Sequence, residues 1–390
     1  MRTKKPSSTK DSGPRLTPVM KQFAEAKSAY PDAIIFFRLG DFYEMFMEDA
    51  VVASRILGIA LTSRNRENPE DEPMAGVPHH SAHQYVARLL AAGHKVAICE
   101  QLADPSKIKG IVPRAVVRVV TPGLVTHDGQ LEARENHFLC AIEAEAGATA
   151  IALLDLSTGE LFAARCNETT RLVAELSAAA PREILLGPSV HGLETTARQV
   201  LPASAIRLEG ELSRAADELV ADLLGAELAA DAARTHDALS RRAIARALAF
   251  AKACTPRERL PIVRVARLEG DAAMLVDETA QAHLELVRAA DGGKRGTLLE
   301  TVDRTVTSGG ARLLRQRLLS PLLSVAAIRA RQSEVELFVV HARSRAELRA
   351  ALADASDLER LAVRVALGEA TPRDLGALLN RAGLALPVAD

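Results

Sequence analysis

Apolar residues in the first third of the chain fall in short blocks broken by glycine, proline and acid, the spacing of strands alternating with short helices. Residues 32–39 (DAIIFFRL) have the β-branched and aromatic content of a buried strand, and Gly40-Asp41 supplies a turn. Residues 42–46 (FYEMF) then predict a second short strand or strand-like loop. A helix is expected to open with Thr17 as N-cap and Pro18 in its first position, while 1–15 reads as a flexible tail. Further helices are expected over 50–57 and 81–92, the latter stopped by Gly93, with strands at 95–100 and 114–120. The pattern predicts a mixed α/β domain over 16–124.

The stretch from Thr121-Pro122-Gly123 to Asn136 is polar and reads as a linker. Strands are then predicted at 137–145, 148–156 and 160–166, the last two joined by a Ser157-Thr158-Gly159 turn. A helix over 168–179, a strand at 183–186 and more helix carry an α/β pattern to roughly residue 205, inside a second domain over 125–265. Beyond residue 210, Ala, Leu, Arg and Glu recur at helical spacing in almost every window. They predict a mainly helical third domain over 266–390. Residues 358–389 read as helix to the end without a terminal cap. The chain therefore looks cut there, with an apolar face left exposed on its terminal helices. The fold class expected is multidomain, α/β twice and then α.

Charge and composition narrow the function. The 390 residues carry 49 Lys+Arg against 50 Asp+Glu, a net charge of −1, which excludes a strongly basic nucleic-acid coat protein. Positive charge is biased to the front: residues 1–124 hold 17 basic and 13 acidic residues. With 48% apolar and 25% charged residues, a disordered chain is excluded. The longest run free of Asp, Glu, Lys and Arg, 73–87, holds three histidines and two prolines and cannot span a bilayer. No apolar segment follows the polar start, so no signal peptide is expected. Cys99, Cys140, Cys166 and Cys254 form no C-x-x-C pair, which fits a reducing cytoplasm and offers no metal signature. Neither Gly292-Gly293-Lys294 nor Gly309-Gly310 belongs to a phosphate-binding loop, and no nucleophile elbow or H-E-x-x-H occurs.

The aromatics are few and crowded. Tryptophan is absent, and eight of the twelve aromatic residues lie within 23–85. In an extended segment Phe42, Glu44 and Phe46 share one face and Tyr43 and Met45 the other. A carboxylate between two rings fits poorly in a dry core. Two readings stay open: Phe42 and Phe46 pack at the domain edge while Glu44 reaches water, or Phe42 is an exposed wedge with a hydrogen-bonding partner. Pushing such a wedge into stacked bases costs about a few kcal/mol, and less where pairing is already faulty. His79-His80 with His83 reads as a zinc cluster or a helix-entry cluster. Asp155 and Glu160 flank a turn; they read as turn acids or as a Mg²⁺ pair of a metal-dependent nuclease. Lys107, Lys109, Arg114 and Arg118 read as phosphate contacts or as a solvated loop.

The run FRLGDFYEMF (37–46) resembles the mismatch-reading motif of the MutS family of DNA mismatch-repair proteins. PMAGVPHH (73–80), VAICEQ (96–101), VVRVVTPG (116–123) and LLDLSTGEL (153–161) agree in the same order. So do TLLETVDRTVTSGGARLLRQRLLSPL (297–322) and LERLAVRVALGEATPRDL (358–375). The resemblance implies a mismatch-binding domain, a ribonuclease-H-like connector and the start of a helical core and lever region. It implies that Phe42 stacks beside a faulty base and Glu44 hydrogen-bonds it, with Lys109 and Arg114 near the DNA backbone. It implies double-stranded DNA with mismatches or small loops as ligand, a MutL-type partner at the connector, a homodimer, and a cytoplasmic, nucleoid-associated location without a membrane. ATP and Mg²⁺ are expected only for the full-length family, through a clamp-and-ATPase portion this sequence lacks; no cofactor is expected in this chain. The family resemblance also sets the nuclease reading of Asp155 and Glu160 aside as the alternative.

Overall fold

A computed structural model describes residues 17–63, 72–103, 110–255, 259–268, 273–353 and 355–382. The tail expected over 1–15, and Lys107 and Lys109, lie outside the described residues. The chain forms two units, one built from residues up to Tyr85 together with His94–Val119, the other from Val86–Gly93 together with Val120 onward.

In the first unit, helix α1 (Pro18–Ala29) opens as expected: Thr17 Oγ1 accepts the amide of Met20 at 3.4 Å. Strands β1 (Ala33–Leu39) and β2 (Phe42–Phe46) form the expected hairpin. Helix α2 (Met47–Leu57) starts three residues earlier than its apolar pattern suggested and stops where Gly58 turns left-handed at φ +65°. Two strands follow that the sequence did not announce, β3 (Thr62–Ser63) and β4 (Pro73–Pro78). Helix α3 (Ala82–Ala91), whose residues from Val86 onward belong to the second unit, and β5 (Lys95–Gln101) and β6 (Arg114–Val120) match expectation closely. The sheet order is β3-β4-β2-β1-β5-β6, antiparallel at β2 and parallel where β1 meets β5. Ile35, Phe36, Phe37, Met45 and Phe46 are fully buried, and Phe23 of α1 meets Phe37 and Phe46 edge-on at 6.0 and 5.0 Å. Buried Asp49 ties helix to strand, accepting Lys27 Nζ at 2.7 Å and the Ile35 amide at 3.0 Å.

The second unit contains the sheet β11-β10-β7-β8-β9-β12. Its strands are β7 (Leu139–Glu145), β8 (Ala148–Asp155), β9 (Glu160–Cys166), β10 (Glu183–Leu186), β11 (Ala205–Leu208) and β12 (Arg264–Arg267). β7, β8 and β9 run as an antiparallel meander; β10 pairs parallel with β7 and β11, and β12 parallel with β9. Helices α4 (Thr169–Ala179) and α5 (Glu194–Val200) cover one face around Ile142, Ile151, Leu153 and Ile184. After α6 (Ala216–Leu224) and α7 (Ala226–Thr235), α8 (Ala238–Cys254) lies on the other face, its alanines allowing close approach. There Arg246 holds Glu143 in a buried ion pair, with Arg242 3.3 Å from the same carboxylate.

The remaining helices are α9 (Glu278–His283), α10 (Leu298–Val302), α11 (Ser308–Leu319), α12 (Val325–Val340), α13 (Ala342–Ala353), α14 (Leu358–Ala366) and α15 (Pro372–Ala382). Three expectations are corrected. Thr121–Thr126 does not behave as a polar linker: these residues are buried, Thr121 donating to Glu183 and Thr126 to Glu369. The region past 210 is not wholly helical, since β12 joins the sheet there. The helix expected over 358–389 breaks between α14 and α15, where Gly368 takes φ +69° and Pro372 begins a new helix. Helices α12 and α13 bury none of their residues, and Val335, Leu337 and Val339 stand exposed on α12. Among the described residues no helix is long and apolar enough to cross a membrane.

Candidate nucleic-acid interface

The β1–β2 hairpin closes through Gly40 and Asp41, with Leu39 opposite Phe42. Positive φ falls on Gly40 (+59°), the first position of the two-residue loop, where glycine adopts left-handed backbone without steric penalty. Phe42 follows immediately. Along the face that Phe42, Glu44 and Phe46 share, burial grades from one end to the other: Phe42 is 46% exposed, Glu44 half-buried, Phe46 2% exposed. Phe46 sits against Phe23 and Phe37. Phe46 is thus packed into the domain, and Phe42 stands at the exposed end of the same face. Of the eight aromatics within 23–85, Phe42 is the exposed one.

Across from Glu44 on β4 lies Gly76. A Cβ placed there would stand 3.6 Å from Glu44 Cγ and 3.7 Å from Phe42 Cδ1. Gly76 is exposed and puts no side chain of β4 against either group. Sequence reading missed Gly76, because prolines at both ends of PMAGVP disguise a strand. The available signal was the register itself, which antiparallel pairing of 42–46 with 73–78 would have supplied.

On the opposite face Tyr43 donates its hydroxyl to Glu100, and the Arg38 guanidinium lies 5.6 Å from the Tyr43 ring centre. Burial and then the bond to Glu100 push the Tyr43 phenol far above its usual range, so it remains a donor. Arg114 is half-buried. Its Nε donates to Arg38 O at 2.7 Å and its Nη1 to Val112 O at 2.9 Å, with the guanidinium 5.3 Å from the Phe37 ring centre. Burial pulls its pKa down. Arg118 lies on β6. His79 and His80 sit in a short 3₁₀ turn (His79–Ser81) ahead of His83 on α3. Among the described residues no group of three or more His, Cys, Asp or Glu is placed to hold a metal ion.

Asp155 and Glu160 do face each other across β8 and β9. Asp155 is fully buried, however, and its carboxylate accepts from the Ser157 amide (3.0 Å), Ser157 Oγ (2.6 Å), Asn136 Nδ2 (3.0 Å) and the His137 amide (3.0 Å). Glu160 pairs with Arg264 at 3.1 Å; burial raises its pKa, with Glu359 and Asp155 adding to the effect. A carboxylate saturated by donors inside a core has no lone pair to offer a metal, so the nuclease alternative is not favoured. A cavity of about 960 Å³ in the second unit has matched charges in its lining, including Arg264 with Glu160, Lys294 with Glu135 and Arg312 with Glu359.

Three family models match in order along the chain: MutS domain I over residues 17–129, MutS domain II over 137–258 and MutS domain III over 279–386. The chain is similar to the DNA mismatch repair protein MutS of Sorangium cellulosum (strain So ce56), 56% identical over 375 residues, which cover 93% of this chain and 41% of that protein. It is 45% identical over 377 residues to the protein of the same name from Anaeromyxobacter dehalogenans (strain 2CP-1), covering 95% of this chain and 42% of the relative. For the Caulobacter vibrioides protein the identity is 42% over 383 residues, covering 93% and 41%. The chain thus spans 41% to 42% of the length of these curated relatives. With three consecutive domains matched over most of its length, the chain belongs to the MutS family and carries MutS domains I, II and III.

Proposed function

We propose that this chain recognises mismatched or unpaired bases in duplex DNA, the step that initiates mismatch repair, with Phe42 stacking beside the faulty base and Glu44 hydrogen-bonding its edge. The observation that carries the reading is the exposed Phe42 ring at the hairpin end, in a segment whose other rings are turned into the domain. Unstacking a base step costs about a few kcal/mol, and a mispaired step, already weakened, is the cheaper one to open. Glu44 adds discrimination: its charge repels phosphate on matched duplex, and its carboxylate offers an acceptor to the edge of a displaced base. A net charge of −1 supplies little general attraction to DNA, so binding is expected to be weak, with a shallow salt dependence.

The same reading makes the second sheet a ribonuclease-H-like connector, supported by its order β9-β8-β7-β10-β11, a meander continued by parallel strands. A MutL-type protein docks on that connector, and the homodimer of the family forms through parts beyond the three matched domains.

Fluorescent duplexes with and without a G·T mismatch, titrated at low salt, test the proposal. Wild type is expected to prefer the mismatch modestly, and Phe42→Ala to lose that preference, about 1–3 kcal/mol for one aromatic–base stack. Glu44→Gln should bind matched duplex more tightly and narrow the ratio. Equal binding of both duplexes by wild type overturns the reading.

A further inference from the structure

We propose that Arg114 is a positioning residue for the Phe42–Glu44 edge, with Arg38 as its counterpart on the opposite face, Arg114 acting through a backbone carbonyl near the end of β1 and Arg38 through one in the β1–β2 turn. The inference rests on the reading of that edge as a mismatch reader. It gives Arg114 a task other than touching phosphate.

Three carbonyls at the hairpin end are held from outside the hairpin ladder. Arg38 O accepts from Arg114 Nε at 2.7 Å, Gly40 O from Arg38 Nε at 2.6 Å, and Asp41 O from the His79 amide at 2.9 Å. Such carbonyls at an exposed turn would otherwise face water. Arg114 reaches unusually far. β1 and β6 are separated by β5 in the sheet, yet one guanidinium ties β1 at Arg38 O to Val112 O ahead of β6. It does so over Phe37, the register partner of Glu44. On the other face Arg38 bonds the turn itself and lies over Tyr43, the residue between Phe42 and Glu44, beside Glu100. The two guanidiniums thus grip the hairpin on both sides of the reading pair.

The consequence is selective. A wedge that must be ordered when it inserts loses binding energy to that ordering, whereas a wedge already held does not. Only the mismatched complex requires insertion, so loosening the grip should weaken mismatch binding and leave matched binding alone. A phosphate contact behaves differently: removing it weakens both duplexes alike and lowers the salt slope by about 0.9.

The test compares Arg114→Lys, Arg114→Met and Arg38→Lys in the full chain, with 2-aminopurine placed beside a G·T mismatch as a reporter of unstacking. The expected result is an approximately fivefold fall in the mismatch-to-matched ratio for all three, about one net hydrogen bond. Matched affinity and salt slope stay at wild-type values, and the 2-aminopurine rise on binding is reduced. Arg114→Lys with an intact ratio, while Arg114→Met weakens both duplexes equally with a shallower salt slope, overturns the proposal and makes Arg114 a phosphate contact. Phe42→Ala separates the two levels: if it keeps the wild-type preference, the reading of the edge fails; if it loses it while the arginine variants do not, only the positioning role fails. Thermal melts accompany each variant, and Arg38→Lys carries the comparison if Arg114→Lys is unfolded at the assay temperature.

Discussion

Both carboxylate oxygens of Asp155 accept from two donors each, from the turn that follows β8 and from Asn136 and His137 ahead of β7. One fully buried side chain therefore joins three segments. Asp155→Asn would present an amide NH₂ to a group of donors, leaving them unpaired in the core. The variant is expected to lose about 2–4 kcal/mol in denaturant unfolding, without any change in Mg²⁺-dependent DNA cleavage. A loss below half a kcal/mol would remove Asp155 from the structural role assigned to it. The turn was legible in Ser157-Thr158-Gly159, and so was the pairing of Asp155 with Glu160. Its burial was not, because burial came from Asn136 and His137, placed there by the path of the preceding segment. Phe42 and Phe46 teach the same lesson. Alternation placed both on one face, but only the position of Phe23 on α1 decided that Phe46 is covered and Phe42 is not.

At the scale of elements, strands with β-branched or aromatic runs were readable and short edge strands were not. β12 is Arg-Val-Ala-Arg, without a pattern of its own, set in a helix-rich stretch. It exists because β9 offers an open edge and because Gly159 lets the chain pass close. Gly159 O accepts the Val263 amide at 2.8 Å, and a Cβ on Gly159, whose φ is +73°, would fall 2.3 Å from Pro261 O. Gly159→Ala is expected to cost about 2–4 kcal/mol, combining left-handed strain with a backbone collision. Hydrogen exchange should locate the damage: amides of 263–268 lose protection while those of β7 and β8 keep theirs. Uniform loss across the sheet, or none, would contradict this account of β12.

For the second unit as a whole, two imidazoles, one buried (His236) and one half-buried (His137), set a pH dependence. Burial holds His137 below the usual imidazole range, against the pull of Asp155, and does the same to His236. Their Nε2 atoms donate to Pro122 O at 2.7 Å and Ala266 O at 3.3 Å. The unfolded chain takes up these protons near pH ~6.5, whereas the native unit resists them. Below that pH the unfolded state binds more protons, so stability falls as pH drops from 7 toward 5. Glu160 and Glu175, raised by burial, act in the opposite sense as they protonate. Thermal melts at pH 7.0 and 5.5 on wild type and His137→Gln isolate the imidazole contribution. The variant should lose less stability across that interval; an equal loss would show that His137 does not set it.

The sequence by itself determined the α/β-then-helical class, most strand positions, the crowding of aromatics near the N-terminus and the Phe42–Glu44 pair. These are written in local signals, the two-residue and 3.6-residue periods, turn glycines and helix caps, which act between neighbours along the chain. Tertiary structure alone decided which ring emerges, that Arg114 reaches past β5 to β1, that Asp155 is enclosed, and that Thr121–Thr126 packs rather than links. Each depends on which distant element arrives to cover or bond a group, and coverage by distant elements has no period in the sequence.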